Sequence, residues 1–133
     1  MIYSLDTNVC VQYIRGSSAK VIRRLRLIPT AEVIVCDVVR GEMFYGSAKS
    51  QTPIQSRAKQ LQFLYPYATK PFDTDAALVY GDLRALLERA GKPISHQDVQ
   101  IAAIALVHNL ILVTHNVDEF SRVPGLKIQD WEV

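Results

Sequence analysis

The chain alternates short apolar runs with longer stretches of helical periodicity, and this alternation limits the folds that it can adopt. The apolar runs are too short for helices and predict strands at residues 2–5, 33–36 and 110–114. An alternating tail favours an edge strand at 127–131. Helices are predicted at residues 9–15, 19–28, 37–47, 53–65, 73–90 and 96–108. Strands interleaved with helices predict a fold of the α/β class, a sandwich around a mainly parallel sheet.

Cap residues and helix breakers mark the ends of several predicted helices. Asp37 follows the second strand and is expected to cap the helix that comes next. Pro53 fits the first turn of the helix after that one. Gly91, followed closely by Pro93, predicts the end of the helix that begins near Asp73.

The composition is that of an ordinary folded protein. Of the 133 residues, 49% are hydrophobic and 21% are charged, so we expect an ordered chain and one domain over residues 1–133. No apolar run reaches the length of about 18 residues that a membrane span needs, and no leader precedes the first strand. Cys10 and Cys36 form no CxxC motif, so the sequence predicts no disulfide framework and a reducing, cytoplasmic compartment.

Several classes of site are disfavoured because their motifs are missing. The sequence has no GxGxxG motif and no P-loop, which argues against nucleotide binding of those kinds. It has no GxSxG motif, so an α/β-hydrolase would lack its nucleophile. The three histidines do not have the spacing of a zinc site.

Charge is divided unevenly between the two halves of the chain. Residues 1–60 contain nine Lys and Arg against four Asp and Glu, whereas residues 61–133 contain six against nine. A basic half beside an acidic half is compatible with a phosphate-bearing substrate that approaches an acidic, metal-holding site. Ordinary scatter of charge over a solvated surface is the alternative.

Two acidic residues of the first half have positions that suggest more than a structural role. Asp6 comes directly after the first strand, at the sheet edge where ligands bind in open α/β sheets. Its alternative role is a helix N-cap, shared with Thr7 or Asn8. Glu42 lies on a largely apolar stripe of its helix, where a buried charge is costly unless a cation or partner satisfies it. The alternative for Glu42 is a salt bridge with a neighbouring Arg.

Asp98 and the segment after the third strand add further polar groups near the same edge. Asp98 heads an apolar stripe that continues through Ile101 and Ala102, so its side chain is expected to face inward. Ser95 makes a capping box the structural alternative for Asp98. Three polar residues after the third strand are within reach of this edge, namely Asn116, Asp118 and Glu119.

Carboxylates that converge at one sheet edge repel one another. A like-charge pair at about 4 Å costs roughly 4 kcal/mol at an effective dielectric of about 20. Such a cluster persists when protons or cations neutralise it, and oxygen-only ligands with open positions suit Mg²⁺ or Mn²⁺. The chemistry that follows is phosphodiester hydrolysis by a metal-activated water.

In their order and spacing these residues resemble the PIN-domain ribonucleases, and among them the VapC-type toxins of bacterial toxin–antitoxin pairs. The resemblance covers nearly the whole chain. Its pieces are Leu5-Asp6-Thr7-Asn8, Glu42, Gly91-Lys92-Pro93-Ile94 with Asp98, Ile101-Ala102-Ala103, Leu112-Val113-Thr114-His115-Asn116, Glu119-Phe120, Pro124-Gly125-Leu126 and Asp130-Trp131.

The resemblance implies a three-layer α/β/α sandwich and a Mg²⁺-dependent endoribonuclease, with Mn²⁺ as a substitute, that a cognate antitoxin holds inactive. Asp6 and Asp98 match the principal metal-holding positions, and Glu42 matches the third acidic position. Thr7 and Asn8 are expected to support the Asp6 carboxylate through hydrogen bonds.

This chain departs from the family at the fourth acidic position, where many members carry Asp and this sequence has Asn116. Glu119 or Asp118 is expected to supply the missing charge, and Asn116 to hold a metal-bound water. The Thr-His-Asn and Glu-Phe pieces resemble those of toxins that cut transfer RNA, with initiator tRNA among the targets.

The resemblance also implies partners, namely a small VapB-type antitoxin, an RNA substrate and a second copy of the chain in a homodimer. The apolar stretch 63–65 and a basic helix are the expected contact surfaces, with core packing and a solvated face as the alternatives. Four residues are expected contacts of RNA or antitoxin, namely Arg23, Arg24, Arg26 and His115.

Two other functions are weighed against the nuclease. A catalytically silent PIN-like module that binds RNA or protein is the main alternative, but such a module has no need for clustered Asp6, Glu42 and Asp98. A phosphate-receiving signalling domain fits less well, because that class needs paired acids after the first strand and Asp6 stands alone there.

Overall fold

The structure is a computed structural model that describes residues 1–133, with four strands and seven α-helices. In chain order the elements are β1 (Tyr3–Leu5), α1 (Thr7–Arg15), α2 (Ala19–Leu27), β2 (Val33–Ile34), α3 (Asp37–Ala48), α4 (Pro53–Leu64), α5 (Thr74–Arg89), α6 (His96–Val107), β3 (Ile111–Val113), α7 (Val117–Phe120) and β4 (Lys127–Gln129). A short 3-10 helix at Thr30–Glu32 precedes β2. None of the helices is both long enough and apolar enough to span a membrane.

The four strands form one parallel sheet in the order β2-β1-β3-β4, which confirms the predicted α/β class and the edge strand in the tail. The chain moves from β1 outward to β2, then crosses back past β1 to β3 and on to β4. Right-handed crossovers in opposite directions place helices on the two faces of the sheet, as a three-layer sandwich requires. The direction changes between β1 and β3, and ligands of such sheets bind at the carboxyl ends of those strands.

The larger of two core clusters comprises 24 buried residues and includes residues of β1 and β3. Leu5 on β1 pairs with Val113 on β3, and both side chains are fully buried. Trp131, beyond β4, packs edge-on against Tyr3 with 5.5 Å between ring centroids. A buried side chain of this size contributes about 1.5–3 kcal/mol, so the core holds the two central strands in register.

The second strand is shorter than predicted because its last residues bond to a different segment. The Val35 N–H donates to the Ala68 carbonyl (3.1 Å) and the Asp37 N–H donates to the Lys70 carbonyl (3.0 Å). The prediction that Asp37 caps the next helix was wrong by one residue. Cys36 is the N-cap of α3, and the Asp37 carboxylate accepts a hydrogen bond from the Thr69 hydroxyl (2.6 Å).

Helix ends follow the predicted signals elsewhere in the chain. Asp6 caps α1, so this helix begins at Thr7, two residues earlier than predicted. Gly91 has a φ of 69° after α5, a left-handed conformation that glycine adopts without strain and that ends the helix as predicted. The short helix α7 was not predicted. Cys10 and Cys36 are both buried and free.

Candidate active site

Asp6 occupies the carboxyl end of β1, at the point where the connections change direction. The Thr7 N–H donates to its Oδ1 (2.8 Å) and the Thr114 hydroxyl donates to its Oδ2 (2.7 Å). Asp6 is only 8% exposed. Burial raises the pKa of this carboxyl even though both hydrogen bonds act in the opposite direction. The structure therefore fixes both oxygens of Asp6 and keeps them largely out of water.

Glu42 faces Asp6 from α3 and is tied to the same turn of the chain. The Thr7 hydroxyl donates to Glu42 Oε2 (3.0 Å), so Thr7 contacts both acids, one through its backbone and one through its side chain. Burial raises the pKa of Glu42, and the charge of Asp6 raises it further against the effect of the Thr7 bond. The alternative of a salt bridge with Arg is not found, because the ion pairs of the chain join other residues.

Asp98 lies in the first turn of α6, where Ser95 accepts a hydrogen bond from its N–H (3.2 Å) as the N-cap of that helix. Burial raises the pKa of the Asp98 carboxyl to about 6, and the negative charges of Asp6 and Glu119 add to this effect. Glu119 is partly buried on α7, close enough to Asp98 for its charge to act on that carboxyl. The structure therefore has both predicted features of this segment, the N-cap at Ser95 and a partly buried carboxylate at Asp98.

The four acids come from four separate segments and are linked by the effects of their charges on one another. Asp6 follows β1, Glu42 lies on α3, Asp98 begins α6 and Glu119 lies on the helix after β3. No lysine or arginine of the chain forms an ion pair with any of them. A set of oxygen donors with unneutralised charge has the chemistry that Mg²⁺ and Mn²⁺ prefer. These four residues are therefore a fitting place for a divalent cation.

Comparison with known proteins identifies the family. The PIN-domain family model matches residues 3–126. The chain is also 35% identical over 133 residues to ribonuclease VapC2 of Rickettsia felis, and the match covers 99% of each chain. The chain belongs to the PIN-domain family of VapC ribonucleases. This membership confirms the resemblance that the sequence motifs indicate.

Other relatives of this PIN domain agree with that assignment. It is 34% identical over 129 residues to the tRNA(fMet)-specific endonuclease VapC of Salmonella typhimurium, with 97% of each chain covered. The crystal structure of VapBC2 from Rickettsia felis bound to a promoter DNA fragment has a TM-score of 0.91 at 34% identity, covering 98% of this chain and 99% of that one. DNA-bound VapBC from Salmonella typhimurium has a TM-score of 0.92 at 34% identity, covering 98% of both chains.

The predicted supporting residues of this PIN domain have different positions relative to Asp6. Thr7 bonds to it directly, whereas Asn8 is exposed and forms no hydrogen bond with it. Asn116 is the N-cap of α7, and its N–H donates to the Thr114 hydroxyl (3.0 Å). Asp118 is exposed on α7, next to the partly buried Glu119.

Thr114 is a site residue that sequence reasoning missed. Its hydroxyl donates to Asp6 and accepts from Asn116, so it joins the ends of β1 and β3 across 108 positions of sequence. The signal that could have identified it is the rule that selected Asp6, because Thr114 is also a polar residue that directly follows a buried strand.

His115 faces a second group of acids rather than Asp6. Its Nδ1 lies 2.9 Å from Asp130 Oδ2 and 3.4 Å from Glu132 Oε2, and its side chain is 63% exposed. The three ligand atoms lie within 4.8 Å of one another, which is compatible with a metal ion. Glu132 also accepts a hydrogen bond from Gln12 (2.9 Å), so this group is tied to α1. It is separate from the carboxylates that the sequence predicts as metal ligands.

The predicted contact residues of α2 differ in their surroundings. Arg24 donates to Gln129 Oε1 (3.3 Å) and lies over the Trp131 ring, 5.4 Å from its centroid, so it helps to hold the chain end. Arg23 and Arg26 are exposed beside a shallow depression of about 440 Å³ on the same helix.

The predicted apolar contact stretch borders a separate groove of about 390 Å³. Phe63 packs between Tyr13 and Tyr67, with ring centroids 5.3 and 5.4 Å away. Tyr65, by contrast, is 92% exposed. The stretch therefore combines core packing with an open aromatic surface.

Proposed function

We propose that this PIN domain is the endoribonuclease toxin of a type II toxin–antitoxin pair and that it hydrolyses RNA phosphodiester bonds. The observation that carries the proposal is the convergence of Asp6, Glu42, Asp98 and Glu119 with no cation of the chain to neutralise them. Relatives named as ribonucleases and structures named as VapBC complexes support it.

Asp6 and Asp98 would hold the divalent cation, Mg²⁺ with Mn²⁺ as a substitute. The chemistry supplied by such a cation is a lowered pKa for a bound water and stabilisation of the leaving oxygen. Thr7 and Thr114 hold Asp6 in one orientation, which keeps its oxygens aimed at a single point.

Glu42 is the proposed proton acceptor. The Thr7 hydroxyl occupies its Oε2, which leaves Oε1 free to take a proton from the attacking water. Glu119 supplies the fourth charge, which acts on Asp98. The roles predicted for Asn8, Asp118 and the Asn116 side chain stay predictions.

Transfer RNA is the proposed substrate, with initiator tRNA as the first target to test. This choice is supported by the relatives named tRNA(fMet)-specific endonucleases. A VapB-type antitoxin is the proposed partner, and the aromatic groove of Tyr13, Phe63 and Tyr67 is a surface of the right chemistry for it. A homodimer, a single domain over residues 1–133 and a cytoplasmic location also stay predictions.

The test is cleavage of a total tRNA pool by the purified protein without antitoxin, in Mg²⁺, in Mn²⁺ and in EDTA. Asp6→Asn provides the control for a contaminating nuclease, because it removes one charge and almost no volume. We expect cleavage that requires the metal and is lost in Asp6→Asn. A folded protein that binds tRNA but cleaves none of it in any condition would favour the silent binding module.

A further inference from the structure

A depression of about 570 Å³ begins at Glu42 and extends between α1, α3 and α4. Thr7 and Glu42 line its inner end, and three cationic side chains line the rest, namely Arg15, Lys49 and Lys59. Glu42 is the only acid in this lining. The other polar residues there are hydroxyls and an amide, namely Ser47, Ser50, Ser56 and Gln60. The lining is therefore positively charged and rich in hydrogen-bonding groups.

A second depression, of about 840 Å³, lies between the α5–α6 connection and α7. It carries Lys92 and Arg122, with Asp118 as its only acid. The Arg122 guanidinium donates to the Pro93 carbonyl (3.1 Å), which holds it at the rim without neutralising its charge. This depression is also positively charged.

The carboxylates form a row that connects the two depressions. Glu42, at the end of the first depression, is bonded to Thr7, whose N–H is bonded to Asp6. The charges of Asp6 and Glu119 both act on the Asp98 carboxyl, so Asp98 lies near each of them. Glu119 is the neighbour in sequence of Asp118, which lines the second depression. The order in space is therefore cations, carboxylates, cations.

An exposed aromatic ring lies beside the cations of the first depression. Tyr45 is 66% exposed and lies on α3, three residues after Glu42. The ammonium group of Lys49 lies 4.6 Å from the centroid of its ring. Exposed aromatic rings next to basic side chains are typical of surfaces that bind single-stranded nucleic acid by stacking of bases and contacts to phosphates.

We propose that one RNA strand crosses the carboxylate row from the first depression to the second, with a base on Tyr45 and phosphates on Lys49, Lys59, Lys92 and Arg122. The scissile phosphate then lies over the acids, and the flanking phosphates lie on the cations at each end. This inference rests on the proposed function and adds to it the path of the substrate. A polyanion matches both linings, whereas a cationic or apolar peptide matches neither.

The test measures binding of fluorescein-labelled bulk tRNA in EDTA by fluorescence anisotropy over a series of salt concentrations, and cleavage of the same RNA in Mg²⁺. The variants are Lys49→Gln, Lys92→Gln and their double variant. Lys127→Gln is the matched control, because Lys127 is exposed at the start of β4. The sheet is parallel, so this is the amino end of the strands, whereas Asp6 follows the carboxyl end of β1. All three substituted lysines are exposed, and thermal unfolding checks that each variant is folded.

We expect the slope of log K against log salt to become shallower by about 0.7 for each single variant and about 1.4 for the double variant. Kd should rise about tenfold in the double variant, with KM following it and kcat little changed. Tyr45→Leu should raise Kd with no change of slope, because stacking releases no counterions. Lys127→Gln should leave both quantities at the wild-type values.

The possible outcomes separate this inference from the proposed function. Wild-type cleavage with variants that match Lys127→Gln overturns the strand path and leaves the nuclease standing. Salt-dependent binding that responds to Lys49 and Lys92, without any cleavage, supports the path and overturns the nuclease. If the variants lose antitoxin binding but keep tRNA binding, the depressions belong to the antitoxin and the inference is overturned. A wild-type protein that does not bind tRNA also overturns it.

Discussion

Replacing Asp98 by Asn removes a carboxyl group whose ionisation the folded protein disfavours. Burial, together with the charges of Asp6 and Glu119, raises the pKa of Asp98 to about 6 from an ordinary value of 3.8. Between these two pH values the folded state binds more protons than the unfolded state. The stability of the wild type therefore falls as pH rises through this window, and the part of the fall due to Asp98 is complete above pH 6.

The size of this effect follows from the difference between the two pKa values. Each pH unit in the window is worth about 1.4 kcal/mol, which sets a ceiling of about 3 kcal/mol. Because Asp98 is only partly buried, solvent screening reduces this to about 1 kcal/mol. We therefore expect Asp98→Asn without metal to be more stable than the wild type by about 1 kcal/mol above pH 6, or about 4 °C in Tm.

Thermal unfolding followed by circular dichroism in EDTA, across pH 4 to pH 8, measures this difference. Asp82→Asn is the matched control, since Asp82 is exposed on α5 and is not among the charges that raise the pKa of Asp98. The advantage of Asp98→Asn should vanish near pH 4 and when Mg²⁺ is added, because the cation stabilises only the wild type. An Asp98→Asn variant that is less stable than the wild type at pH 8 in EDTA would contradict this expectation, since favourable contacts would then stabilise the Asp98 carboxylate more than burial and neighbouring charges destabilise it.

Three further substitutions test single contacts of the site and its frame. Thr114→Val should lower the free energy of unfolding by about 1–3 kcal/mol, because it leaves Oδ2 of the buried Asp6 without its donor; Thr114→Ser should restore the free energy of unfolding, and chemical denaturation measures both. Thr7→Val should lower kcat about tenfold, because it removes the hydroxyl that donates to Glu42. Thr7→Ser keeps this hydrogen bond, so equal kcat values in the two variants would contradict the role of the hydroxyl. Arg40→Met should lower the free energy of unfolding by about 2–3 kcal/mol, because the guanidinium donates to the carbonyls of Val35, just after β2, and of Tyr67. An unchanged Tm would contradict this.

The elements of the fold could be predicted because most of their signals are local. Apolar runs and helical periodicity identified all four strands and six of the seven helices. The prediction was wrong where distant segments decide the outcome. The second strand ends early because Val35 bonds to Ala68, and no pattern within 33–36 reports that contact. Helix α7 is only four residues long, too short for a periodic signal.

The acids of the site could be found in the sequence, but the groups that hold them could not. Asp6, Glu42 and Asp98 each occupy a position that a structural role alone does not explain, which is a local property. The bond from Thr114 to Asp6 depends on the pairing of β1 with β3. His115 turns to acids near the chain end, and that depends on the placement of β4.

Isothermal titration of Mn²⁺ into the protein without antitoxin tests whether Asp6 and Asp98 hold the divalent cation. The variants are Asp6→Asn, Asp98→Asn and Asp130→Asn, with Asp82→Asn as the control. We expect Mn²⁺ binding to be lost in the first two variants and kept in the other two. Binding that survives Asp6→Asn and Asp98→Asn but disappears in Asp130→Asn would contradict it, because the cation would then belong to the group of His115, Asp130 and Glu132.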